Sequence, residues 1–106
     1  MNPIMYVGIG RNDKIDIIIS NVCQYYGITV DEIKSHNRHR KFSIPRQVSM
    51  YLLNTMLHNT TRQEIGNLFN NRDHSTVTHA IREVNNQISI NPEFKQEIEN
   101  LRENIF

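Results

Sequence analysis

Glycine and proline are scarce in this 106-residue chain, at four and three residues, and tryptophan is absent. So few turn formers argue against an all-β domain, which must reverse direction every few residues. A single cysteine, Cys23, excludes an internal disulfide and suits a reducing compartment. It falls on an apolar helical stripe, so packing is its expected role. No apolar run approaches the length of a membrane span, and Met1–Gly10 lacks the basic end and apolar centre of a secretory signal. These absences leave a cytoplasmic, soluble protein of one domain, long enough to bury a core unaided.

Acid is also missing locally. Between Glu32 and Glu64 there is no Asp or Glu, while Lys34, Arg38, Arg40, Lys41, Arg46 and Arg62 fall in that stretch. The C-terminal part carries Glu83, Glu93, Glu97, Glu99 and Glu103 against Lys95 and Arg102. The net charge is only +1, so the distribution carries the information: a basic middle that suits a polyanion and an acidic, solvated flank.

Periodicity predicts an all-α fold, a compact bundle of about six helices containing a helix-turn-helix. Residues 1–12 have little pattern and read as a flexible arm before a domain at 13–106. Asn12 or Asp13 is expected to cap a helix from Lys14 to about Tyr26, whose Ile15, Ile18, Ile19, Val22 and Tyr26 share a face and which Gly27 ends. Thr29-Val-Asp-Glu32 reads as a capping box opening a short helix through about Ser35. A basic loop, His36 to Ile44, follows. Pro45 fits the first turn of a longer helix to about His58, with Val48, Leu52, Thr55 and Met56 on its buried side.

Thr61-Arg-Gln-Glu64 is a second capping box, before apolar Ile65, Leu68 and Phe69. Asn70-Asn71-Arg72 makes a turn, because Asn tolerates left-handed geometry. Asp73 is expected to cap the next helix, with Val77, Ala80, Ile81, Val84 and Ile88 facing inward. Asn91 and Pro92 start the last helix, with Phe94, Ile98, Leu101 and Ile105 on one face.

Thr61 to Val84 therefore reads as helix, tight turn, helix. The second helix presents Asp73, His74, Ser75 and Thr76 at its start while its apolar residues point the other way, as a recognition helix does. Asp can accept from cytosine N4, and Ser or Thr can bond to several base edges. A plain helical hairpin with a polar N-terminus would show the same letters. The loop adds separate weight. Arg38, Arg40 and Lys41 lie on it, Arg46 and Gln47 are placed at the following helix N-terminus, where a phosphate is favoured, and an extended Arg can enter a narrow minor groove. Arg62 and Arg72 are further candidates for the DNA backbone. The expected partner is double-stranded DNA.

The residues His36-Asn-Arg-His-Arg-Lys-Phe-Ser-Ile-Pro-Arg-Gln47 and Asn71-Arg-Asp-His-Ser-Thr-Val-Thr-His-Ala80 resemble the two hallmarks of the C-terminal DNA-binding domain of the bacterial replication initiator DnaA. The resemblance runs over roughly Ile15 to Ile105. It implies that Arg38 enters the minor groove, that Arg46 and Gln47 meet the backbone and neighbouring bases, and that Asp73, His74, Ser75 and Thr76 read the major groove. His79 matches a motif His that touches phosphate or supports the helix. It further implies an A·T-rich box ending in CACA, bound by a monomer, in a nucleoid-associated protein. Asn70-Asn71 stands where Gly-Gly is common, and Ser75 replaces a usual Thr.

The chain reads as such a domain, standing alone or cut from a larger protein. It has no Gly-x-x-x-x-Gly-Lys-Ser/Thr run, so no nucleotide and no other cofactor is expected. An enzyme is not expected either: Asp73-His74-Ser75 spells a triad only in letters, since consecutive residues at a helix start splay apart. His36 with His39, or His74 with His79, falls short of four convergent metal ligands. A helix-turn-helix suits the B-form major groove rather than RNA. The rival reading is a protein-interaction module, or a transcriptional or mobile-element regulator that kept the fold without the box; the acidic last helix and the arm, with Met5, Tyr6 and Ile9, are its candidate surfaces.

Overall fold

Local capping chemistry sets where most helices begin. In the computed structural model, which describes residues 10–105, the order is α1 (Arg11–Tyr26), α2 (Val30–Lys34), α3 (Arg40–Met56), α4 (Arg62–Leu68), α5 (His74–Ile90) and α6 (Pro92–Ile105). Both capping boxes form reciprocally. Thr29 accepts from the Glu32 amide while Glu32 accepts from the Thr29 amide, and Thr61 and Glu64 repeat the pattern. Asn91 Oδ1 accepts from the amides of Glu93 and Phe94, both at 3.1 Å, which starts α6 with Pro92 in its first turn. Gly27 ends α1 at φ 68°, where a side chain would be strained.

Two boundaries differ from expectation. Helix α1 begins at Arg11 after Gly10, so Asn12 and Asp13 are helical rather than caps, and the last two residues of the expected arm belong to α1. Positions 1–9 of that arm lie outside the described residues. Helix α3 begins at Arg40, not beside Pro45. His39 caps it, its Nδ1 accepting from the Lys41 amide at 3.1 Å, so Arg40 and Lys41 lie in the first helical turn and Pro45 inside the helix. The reason is local: a capped turn forms ahead of the proline, whose missing N–H removes one ladder bond to the Lys41 carbonyl.

Helix α3 occupies the middle of the bundle. It packs on α1, α2, α4 and α5, and its Val48, Ser49, Met50, Tyr51, Leu52 and Leu53 are all buried. A helix surrounded in this way loses its one-sided stripe. Helix α6 closes the bundle against α1 and α5 through Ile98, Leu101 and Ile105. The expected inward residues of α5, Val77, Ala80, Ile81 and Val84, are buried, with Ile88 half-buried. Phe69, fully buried at the end of α4, anchors the turn; such a side chain contributes about 1.5–3 kcal/mol by leaving water. Among the described residues no helix is long and apolar enough to cross a membrane.

Candidate nucleic-acid interface

The turn between α4 and α5 is fixed by close backbone approach. Asn70 and Asn71 both take left-handed geometry, at φ 60° and 56°. The Arg72 amide then donates to the Gly66 carbonyl at 2.9 Å. A Cβ on Gly66 would stand 2.1 Å from the Arg72 carbonyl oxygen, so only glycine permits this crossing. The turn sends α5 away from α4 with its first residues in solvent: Asp73, His74, Ser75, Thr76 and His79 are exposed.

Asp73 stands at the N-cap position, but its side chain does not cap the backbone. One carboxylate oxygen lies 2.8 Å from His74 Nδ1, and the other accepts from the Ser75 hydroxyl at 3.0 Å. Ser75, with help from His74, holds the Asp73 carboxyl below its usual range, so it is a charged acceptor at neutral pH. Thr78 donates to the His74 carbonyl at 3.1 Å and accepts from Arg62 at 2.9 Å, which ties α4 to the exposed side of α5.

The basic loop is short. Asn37 Oδ1 accepts from the His39 amide, and Ser35 Oγ accepts from the Asn37 amide. Arg38, Arg40 and Lys41 are exposed, with Lys41 Nζ 5.7 Å from the Phe42 ring centre. Arg46 is placed differently from expectation. It lies in the second turn of α3 rather than at the helix start, and only 6% of it is exposed. Its Nε donates to the Ile33 carbonyl at 2.8 Å and its Nη1 to the Asn37 carbonyl at 3.2 Å; Nη2 is buried without a partner among the described residues. Burial, with Arg72 adding like charge, brings the Arg46 guanidinium down to about 10, so it remains charged at neutral pH. Arg72 also turns inward, donating to the carbonyls of Phe69 and Ser35 at 2.6 Å and of Lys34 at 3.3 Å.

These groups converge on one open pocket of about 400 Å³, lined by His36, Arg38, Ser43, Arg46, Arg72 and Thr76. It joins the loop, α3, the turn and the start of α5, and no carboxylate is among those lining residues. Arg40 and Gln47 line a different cavity, shared with Glu83 and Glu97 on the α5–α6 side. Of the sequence-predicted residues, Arg38, Arg46, Arg72 and Thr76 share the first pocket, Arg40 and Gln47 line the flank cavity, and Lys41, Arg62, Asp73, His74, Ser75 and His79 line neither. His36 and Ser43 are pocket residues that sequence reasoning did not select. Gly66 was also missed, although a glycine inside a short helical pattern is itself a signal of close approach.

Comparison with known proteins gives concordant matches. A family model described as bacterial dnaA protein helix-turn-helix matches residues 15–84. The chromosomal replication initiator protein DnaA of Treponema denticola is 39% identical over 95 residues, 90% of this chain and 20% of that protein. Its namesake from Streptococcus pyogenes is 40% identical over 91 residues, 86% of this chain and 20% of that protein. A solved structure described as a DNA replication initiation factor superposes with a TM-score of 0.78 at 33% identity, over 89% of this chain and 28% of that one. The chain spans about one fifth of the length of these curated relatives.

Proposed function

The chain belongs to the bacterial DnaA helix-turn-helix family, and from that premise we propose that it binds double-stranded DNA as a monomer and reads a DnaA-box-like site through both grooves. The observation that carries this reading is the acid-free pocket shared by Arg38 and Thr76. It joins a loop arginine to the first turn of α5, as a protein spanning a major groove and the adjacent minor groove requires. Asp73, His74, Ser75 and Thr76 meet base edges in the major groove, and Arg38 enters the minor groove. Arg40, Lys41, Gln47, Arg62 and His79 hold the backbone, which fixes register without carrying sequence information.

Arg46 and Arg72 take a different part from the other arginines. Their donors serve main-chain carbonyls, so they shape the pocket from beneath and add positive charge to its floor. The relatives match a DNA-binding module rather than a catalytic one; the role assigned is recognition, without nucleotide or catalysis, at the nucleoid.

The test is fluorescence anisotropy with a duplex carrying a TTATCCACA-type box and a scrambled duplex of equal composition, at two salt concentrations. Tighter, salt-sensitive binding to the box is expected, since each phosphate contact steepens the logarithmic salt dependence by about 0.9. Equal salt-sensitive binding to both would remove the box specificity. Absence of binding to either would turn attention to the acidic α6 and a protein partner.

A further inference from the structure

The paired-groove reading needs the loop and the recognition helix to keep a fixed separation. Helix α2 has only five residues, so the carbonyls at its end have no continuing helix to meet. Side chains from elsewhere meet them in turn. Arg46 serves the carbonyls of Ile33 and Asn37. Arg72 serves those of Lys34 and Ser35. Asn70 adds a second bond to the Lys34 carbonyl, from its Nδ2 at 2.5 Å.

Asn70 and Arg72 sit in the turn that launches α5, while Lys34 and Ser35 lead into the loop that carries Arg38. The bonds therefore cross directly from one groove-facing element to the other. Asn70 holds φ 60°, a conformation glycine adopts without strain, yet glycine has no side-chain amide to offer. A residue that tolerates the turn and also donates meets both needs at once.

Resting on the DNA-reading function above, we propose that Asn70 is a positioning residue that latches the Arg38 loop to the recognition helix through the Lys34 carbonyl, so that the two groove contacts act as one unit.

A double-mutant cycle on the full chain tests this, using the box and scrambled duplexes with native protein, Arg38→Ala, Asn70→Gly and the double variant. Glycine keeps the turn geometry, and thermal melting checks folding. Arg38→Ala is expected to cost native protein about ten-fold in box affinity. In the Asn70→Gly background the same change costs at least about three-fold less, because residues coupled through a shared backbone segment do not add. Scrambled-duplex affinity changes little with Asn70→Gly. Additive losses, or equal weakening on both duplexes, would overturn the latch and leave Asn70 a turn residue only. Should Asn70→Gly melt early, Asn70→Asp removes the donor at a residue equally tolerant of positive φ, with Asn71→Asp as the charge control; the same non-additivity is then required. Native protein that binds both duplexes equally would remove the box specificity on which the latch rests, and the latch falls with it.

Discussion

The loop at residues 35–39 and the turn at residues 69–73 each deliver the chain into a seventeen-residue helix. The turn is held by its own backbone: two left-handed asparagines, an amide bond from Arg72 to Gly66, and a glycine that lets the strands of chain touch. Among the described residues the loop's own side-chain bonds are short-range, through Ser35, Asn37 and His39, and all but the part-buried bond from the Ser35 hydroxyl to the Glu32 carbonyl lie at the surface. Its carbonyls, and those just before it, are bound by residues of α3 and of the turn. The helix-turn-helix thus supports itself, while the loop borrows its shape from its neighbours. Regions with few buried bonds of their own open at lower free energy, so the loop is the softer of the two.

Gly66→Ala is the strongest way to break that contrast. A Cβ placed 2.1 Å from a backbone oxygen cannot be relieved by a side-chain rotation. A loss of about 3 kcal/mol or more in urea unfolding is expected; a native midpoint would mean the turn is not locked by close approach. Arg46→Met comes next, since it strips two carbonyls of their donors while keeping an apolar stem. A cost of about 1–3 kcal/mol is expected. Hydrogen exchange should quicken at residues 36–39 and stay slow at 76–84, and equal quickening in both would erase the asymmetry. The smallest effects belong to the two capping boxes, which share the reciprocal Thr–Glu pattern, although Glu64 is also paired with Arg11. Thr29→Ala and Thr61→Ala should each cost about 1 kcal/mol in thermal or urea unfolding. A clear inequality would show that the Arg11–Glu64 pair changes what the second box contributes.

The six helices were legible because the signals for them are local. The Thr29 and Thr61 boxes, Gly27, and the spacing of Ile15, Ile18, Ile19 and Val22 all act within a turn or two of chain. The start of α3 was not legible, because Pro45 is itself a good helix-start signal and histidine is an uncommon cap. Asp73 reads as a cap in the sequence, yet its carboxylate bonds to His74 and Ser75 side chains instead. Within the candidate site, the exposed run Asp73–Thr76 and Arg38 stand where the pattern placed them. Arg46 was misplaced because arginine ordinarily reads as a surface charge.

The helices, the polar start of α5 facing away from its apolar side, and the acid-free middle follow from the order of the amino acids alone. Each depends on residues a few positions apart or on composition alone. Which arginines turn inward depends on long-range packing. Arg46 reaches a carbonyl thirteen residues away, and Arg72 reaches carbonyls thirty-seven and thirty-eight residues away. A guanidinium turns inward only where folding has gathered enough carbonyls to replace its water, and those acceptors, being main-chain atoms, leave no mark in the letters of the sequence.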